Sequence, residues 1–267
     1  YLAGAPLLVA HRGGSRLAPE NTMEAVRSAL EMWEADMLEM DVRLTRDGEV
    51  VVIHDETVDR TTDGSGPVFS HTVATLQAMD AGYRFVDADG GTPFRGRGVR
   101  VPRFEDVLLA FPHVRINVEA KEERVAAPLV DIIRRHGAED RVLVAAEHER
   151  CRTPVRGYPG PWGASRTHVF WFWILHRLPG GGAYVPGADI LQVPETWKGL
   201  RIVTPSFIRA AHRWNIPVQV WTVDDPGDMR RLLSWGVDGI QTDRPDLLAR
   251  VLVEEAGRPA PRGLSGH

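Results

Sequence analysis

One cysteine, Cys151, stands among 267 residues, so no disulfide can form within the chain. The fold must rest on a hydrophobic core, not on crosslinks. Such sparse cysteine suits a reducing compartment, and a cytoplasmic location is the expectation. The chain opens on Tyr1, not methionine, so a removed leader stays open. No run of about 18 apolar residues occurs, and no membrane span is predicted. Positive charge is not in excess: 32 Lys+Arg against 36 Asp+Glu leave a net −4, which implies no global attraction to nucleic acid. A dinucleotide fingerprint is missing as well. The first strand-like run ends in His11-Arg12-Gly13-Gly14, which lacks the Gly-x-Gly-x-x-Gly spacing. The 43% hydrophobic and 25% charged content is ordinary, and the length suits one large domain with a sizeable core.

Within these bounds, apolar strand-like runs alternate with helix-period segments. Strands are expected at 7–10, 37–42, 49–53, 114–119, 142–145, 190–193, 218–222 and 238–241. Helices are expected at 21–34, 104–111, 125–136, 205–214, 227–235 and 245–254, with starts marked by Asn21-Thr22, Pro205-Ser206, Asp225-Pro226 and Arg244-Pro245. Such alternation predicts an α/β fold with a parallel sheet. Without the dinucleotide fingerprint, a closed (β/α)8 TIM barrel is favoured over an open sheet. The turn-rich 57–101 stretch reads as a loop-rich insertion beside the site. The expected organisation is one barrel domain over 1–256 and a flexible Pro/Gly/Arg-rich tail over 257–267.

Polar groups gather at the ends of these strands. In Leu38-Glu39-Met40-Asp41-Val42, strand alternation puts Glu39 and Asp41 on one face and the apolar residues on the other. Two neighbouring carboxylates repel and resist desolvation unless something positive lies between them. A hard divalent cation, magnesium or calcium, bound through oxygen ligands fits that need. Asn117, Glu119 and Lys121 share a face in the same way, giving a third carboxylate and an ammonium suited to an anionic substrate group. His11 and His54 each stand where a strand stops and a polar loop begins. Two histidines beside a metal and basic groups fit phosphodiester cleavage, one taking a proton and the other giving one. Each element alone has a plain structural reading, as a hydrogen-bonded strand-end histidine or a solvated carboxylate face. Their repetition carries the functional one.

These residues belong to runs that resemble the glycerophosphodiester phosphodiesterase family. The runs are His11-Arg12-Gly13, Pro19-Glu20-Asn21-Thr22, Glu39-Met40-Asp41-Val42, His54-Asp55, Asp59-Arg60-Thr61-Thr62, Asn117-Val118-Glu119-Ala120-Lys121, Trp221-Thr222-Val223 and Gly239-Ile240-Gln241-Thr242-Asp243-Arg244-Pro245. They keep order and spacing from about residue 8 to 250. The resemblance implies a TIM barrel with a small insertion after the second strand. It also implies a divalent metal ion, and hydrolysis of glycerophosphodiesters to glycerol 3-phosphate and an alcohol. By the same resemblance, His11 and His54 form the acid/base pair, and Glu39, Asp41 and Glu119 are the metal ligands. Arg12 and Lys121 contact phosphate, and Trp221 walls the substrate glycerol. Ala120 departs from the bulkier apolar residue common in the family, on the face turned away from the site.

The run His168-Val169-Phe170-Trp171-Phe172-Trp173-Ile174-Leu175-His176-Arg177-Leu178 is conspicuous in a chain with 7% aromatics. It reads either as a buried barrel helix or as an apolar rim touching lipid, with Arg177 toward headgroups. With Gln192-Val193-Pro194 it is similar to the lysophospholipid-cleaving branch of the family, which adds Gln192 to the substrate contacts and peripheral membrane contact through 168–178 to the partners. Two further classes compete. A non-catalytic phosphodiester-binding barrel is disfavoured by the full set of His11, His54, Glu39, Asp41 and Glu119. A metal-dependent aldolase or isomerase is disfavoured by the paired histidines.

Overall fold

A computed structural model describes residues 3–155, 157–178 and 184–265. β1 (Leu7–Ala10), β2 (Met37–Leu44), β4 (Arg115–Ala120), β5 (Val142–Ala145), β6 (Leu191–Pro194), β9 (Val218–Trp221) and β10 (Gly239–Thr242) form a parallel path in the order β5-β4-β2-β1-β10-β9-β6. The gap between β5 and β6 is filled by two parallel bridges, Val144↔Trp162 and Gly163↔Ile190. Backbone bonds from Gly163 N to the Val144 carbonyl (3.0 Å) and from Ala164 N to the Ile190 carbonyl (2.9 Å) complete the ring. Seven strands plus this short segment make an eight-staved (β/α)8 barrel.

Each stave is followed by a helix: α1 (Met23–Glu31), α3 (Phe104–Ala110), α4 (Glu123–Arg135), α5 (Glu149–Arg152), α6 (Arg166–Leu175), α7 (Pro205–His212), α8 (Pro226–Ser234) and α9 (Pro245–Ala256). Local chemistry sets their starts. The Thr22 hydroxyl accepts from Ala25 N, Thr204 from Phe207 N and Asp225 from Asp228 N, each satisfying an otherwise orphaned donor. Pro205 and Pro226 follow their caps at the first helical turn. In α4, Val125, Leu129 and Ile133 recur every fourth residue with Ala126 and Val130 beside them, one apolar face turned to the sheet.

Strand alternation divides the barrel by chemistry. Leu38, Met40, Val42, Ile116, Val118 and Ala120 point outward and join Leu129, Ile133, Phe207 and Leu252 in one core cluster. A smaller cluster of Leu7, Val9 and Met37 fills the lower interior. A fully buried aliphatic side chain stabilises by about 1.5–3 kcal/mol. The outer layer therefore carries the stability, and the upper interior is left to polar groups.

Two sequence expectations change, the place of 49–53 and the state of the tail. The 49–53 run is not a stave. β3 (Val50–Val52) is antiparallel to the end of β2, with Val42↔Val52 and Leu44↔Val50 in register, and lies off the ring. The stave that replaces it, at 162–163, was not foreseen. The insertion at 57–101 contains α2 (Val73–Ala78) and its own apolar cluster of Val58, Val68, Leu76, Val99 and Val101, packed with Val51 and Ile53. The supposed flexible tail is docked: Arg258 binds Asp36 Oδ2 at 2.7 Å and the Pro6 carbonyl at 2.6 Å. Gly263 N reaches the Met32 carbonyl at 2.8 Å, and Leu264 packs on the core. Residues 266–267 of that tail lie outside the described residues. A two-strand hairpin, β7 (Thr196–Trp197) with β8 (Leu200–Arg201), projects between β6 and α7. No helix among the described residues is long and apolar enough to cross a membrane.

Candidate active site

A cleft of about 620 Å³ opens at the carboxyl ends of the staves, and His11, Arg12, Glu39, Asp41, His54, Glu119, Lys121, Gln192 and Trp221 all line it. Six of them come from β1, β2 and β4 or the residues just beyond. The β2–β4 register places Glu39 opposite Asn117 and Asp41 opposite Glu119, all facing inward. His54 arrives differently. β3 runs back along β2, Ile53 N binds the Asp41 carbonyl at 2.9 Å, and the next residue is delivered to the rim from outside the ring.

Ligand oxygens of Glu39, Asp41 and Glu119 lie within 4.8 Å of one another, a group able to hold a metal ion. Glu39 and Asp41 are only 4% and 1% exposed. Burial is the larger cause, and the Asp41 charge the next, that pushes Glu39 up to about 7. Burial also opposes ionisation of Asp41, but Lys121 and Arg12 outweigh it and hold its carboxyl below the ordinary carboxylate value. The Lys121 ammonium bridges Asp41 Oδ1 at 2.9 Å and Glu119 Oε2 at 2.8 Å. Burial works against that charge too, yet Asp41 and Glu119 raise its pKa. Arg12 Nε lies 3.3 Å from Asp41 Oδ2 but makes no hydrogen bond. Three carboxylates thus converge on one spot, two of them buried. Asn117 Oδ1 adds a buried acceptor with no partner. All-oxygen donors on converging carboxylates fit a hard divalent cation.

Each histidine has one ring nitrogen held by a carboxylate. His11 Nδ1 is 2.6 Å from Asp243 Oδ1, and its Nε2 lies 3.8 Å from Glu39 Oε2. Burial lowers the His11 pKa, but Glu39 and the Asp243 hydrogen bond prevail and hold it raised. His54 Nδ1 is 2.7 Å from Asp55 Oδ1. A second ring nitrogen is thereby left to each histidine, the arrangement of a proton donor or acceptor whose ring is fixed.

Several of these partners had no role in the sequence reading. Glu20 binds Arg12 Nη1 at 3.0 Å. Asn21, at φ +59°, clamps Asp41 through its side-chain amide to Oδ2 (3.0 Å) and its own Oδ1 to the Asp41 backbone N–H (3.3 Å). Pro19-Glu20-Asn21-Thr22 is therefore a working unit: one residue for the arginine, one for the carboxylate, one to cap α1. Gln219 was also missed. Its carbonyl accepts from Gln192 at 3.0 Å and Gln241 at 3.4 Å, forming an amide floor under the cleft. Two glycines make room. At Gly13, φ is +81° and a side chain would meet Ala25 Cβ at 2.7 Å; at Gly163 it would meet Gln192 Oε1 at 2.9 Å.

The aromatic run combines the two expectations for it. α6 is a barrel helix, but Phe170 and Trp171 are 52% and 46% exposed while Phe172 is 2% exposed. Phe172 packs edge-on against Phe207 at 5.2 Å. Phe170 and Trp173 line the cleft with Trp197 and Leu200 of the β7–β8 hairpin. Phe172 is thus core and not rim. We expect Phe172→Ala to cost about 3–5 kcal/mol of unfolding free energy, and Trp171→Ser less than about 0.5 kcal/mol. Urea titrations of both variants check this ordering.

Comparison with known proteins agrees with the geometry. A glycerophosphodiester phosphodiesterase of Caldanaerobacter subterraneus subsp. tengcongensis is 32% identical, over 94% of this chain and 99% of that one. A lysophospholipase D, GDPD3, of Mus musculus is 28% identical over 97% of this chain and 86% of that one. The crystal structure of a glycerophosphodiester phosphodiesterase from Agrobacterium tumefaciens superposes with a TM-score of 0.74 at 29% identity, covering 91% of this chain and 99% of that one. Residues 11–146 and 183–247 match the profile described as the Glycerophosphoryl diester phosphodiesterase family, and the chain belongs to that family.

Proposed function

We propose that this barrel hydrolyses glycerophosphodiesters to glycerol 3-phosphate and an alcohol. One observation carries the reading: two histidines, each held by a carboxylate, border the same trio of converging acids, two of them buried. Glu39, Asp41 and Glu119 are the ligands for one divalent ion, Mg²⁺ or Ca²⁺, which when bound polarises the phosphoryl group and offsets the charge that builds in the transition state. Arg12 and Lys121 add fixed positive charge for the phosphodiester oxygens. His11 and His54 form the acid/base pair: one ring nitrogen takes the proton of the nucleophile and the other protonates the leaving alcohol. The nucleophile is water or the substrate's own 2-hydroxyl. Trp221 and Gln192 stand at the wall that receives the organic part of the substrate.

A second reading has a specific support. The apolar side of the cleft, built by Phe170, Trp173, Trp197 and Leu200, offers a wall for one acyl chain, and so for headgroup release from lysophospholipids. In that reading residues 168–178 touch the membrane surface peripherally, with Arg177 stacked over Trp173 at 3.9 Å beside them. The whole remains one barrel domain over 1–256 with its 57–101 insertion, in a cytoplasmic setting.

The test is choline release from glycerophosphocholine and from lysophosphatidylcholine, with Mg²⁺ or Ca²⁺ supplied. Trp173→Ser is expected to lower kcat/KM on the lysolipid several-fold more than on glycerophosphocholine. Equal losses on both would discard the acyl wall. Failure to release alcohol from any glycerophosphodiester would discard the main reading.

A further inference from the structure

We infer that Arg60, delivered by the insertion, is a positioning residue that fixes His54 relative to Arg12 and His11. The inference rests on the acid/base role given to His54 above. His54 follows a hairpin strand outside the ring, so its neighbours in the barrel do not orient its imidazole. Its ring is held by Asp55, the adjacent residue, at 2.7 Å. Asp55 is itself pinned from the other side. Arg60 Nε reaches Asp55 Oδ2 at 2.5 Å and Nη2 reaches Oδ1 at 3.1 Å. The same guanidinium grips Glu20 through Nη1 at 2.7 Å and Nη2 at 2.8 Å. Glu20 in turn accepts from Arg12 Nη1 at 3.0 Å, and Arg12 adjoins His11 in sequence. A continuous chain of charged hydrogen bonds, His54–Asp55–Arg60–Glu20–Arg12, therefore sets the distance between the two histidines.

The residue type and its surroundings fit this task. A guanidinium presents a flat fork that can meet each of two carboxylates with a pair of N–H donors, as Arg60 meets Asp55 and Glu20; an ammonium is a point charge that fixes neither carboxylate plane. The Arg60 side chain is 49% exposed, and an ion pair this open to water contributes little to stability. The network is better explained by geometry at the site than by holding the fold. The insertion then has a purpose: its own apolar cluster, packed on Val51 and Ile53 of the hairpin, is the arm that brings Arg60 over Asp55.

The experiment compares Arg60→Ala, Arg60→Lys and His54→Ala on glycerophosphocholine with saturating divalent ion. Arg60→Ala is expected to lose about 10²-fold in kcat, the scale of a misplaced reacting group, with KM changed by less than about threefold. Arg60→Lys is expected to lose kcat too, at an unchanged melting temperature. Guanidinium added below denaturing concentration is expected to restore part of the Arg60→Ala turnover and none of the His54→Ala turnover. Wild-type kcat in Arg60→Ala beside an inactive His54→Ala overturns the positioning role. So does a loss that guanidinium does not relieve, which marks a merely structural residue. An active His54→Ala instead overturns the acid/base reading on which the inference rests. If Arg60→Ala does not fold, Arg60→Lys decides alone, and unchanged kcat in it overturns the proposal.

Discussion

His54→Ala and His11→Ala are each expected to lower kcat by on the order of 10²–10⁴, the usual contribution of a positioned acid or base. Their folds should persist. Neither side chain belongs to an apolar core cluster, and truncation opens space toward a solvent-filled cleft and not a sealed void. KM should move less than kcat, because proton transfer is made in the transition state and not in the bound complex. The two losses should also fall short of adding in the double variant, since residues acting on one reaction coordinate are not independent. Steady-state kinetics on glycerophosphocholine, with circular dichroism to verify folding, decides the matter. Near wild-type turnover in either variant returns that histidine to a structural role.

Chelation should have an effect of similar size. Three acids share a pocket with Lys121, Arg12 and His11 as the compensating groups, and burial together with the Asp41 charge pushes the Glu39 pKa up to about 7. Exhaustive EDTA treatment is expected to abolish turnover, and readdition of Mg²⁺ or Ca²⁺ to restore it. The same ion should stabilise the fold, because a ligand that binds only the native state at about 100 times its Kd adds roughly 2.7 kcal/mol. The rise in melting temperature reads this without any substrate. Unchanged activity and an unchanged melting curve after chelation would remove the ion from the account, and Lys121 would then stand as the sole cation bridging Asp41 and Glu119.

The candidate site was more legible than the ring that carries it. Glu39 and Asp41 could be placed because strand alternation needs only five residues to assign faces, and Leu38, Met40 and Val42 are buried on the opposite side as expected. The same logic misassigned Val50–Val52. A buried apolar run looks alike whatever covers it, and here Val50 and Val52 join the main core while Val51 packs with Val58, Val68 and Leu76 of the insertion. The true fifth stave left no signal, since Trp162-Gly163 is too short for any period and follows Pro159-Gly160-Pro161. Glu20, Arg60 and Asp243 could be quoted in motifs but not given partners. Their contacts span 40 residues from Glu20 to Arg60 and 232 from His11 to Asp243, beyond the reach of local pattern. The tail was misread by composition: Arg258 is ordered by a specific acid and two carbonyls, which no count of Pro and Gly reveals.

The uneven stitching of the barrel divides it into a stiff arc and a soft one. β2 and β4 share six paired residues and β4 and β5 four, whereas the seam between β5 and β6 is held by one bridge on each side of Trp162-Gly163. The three acids sit on the stiff arc; α6 and the apolar wall hang from the soft one. Changes of loop length beside the seam are thus expected to leave the β2–β4 register, and with it the carboxylate spacing, in place. The carboxylates and the apolar wall rest on different arcs of this barrel, and the seam is the place to begin reshaping the wall.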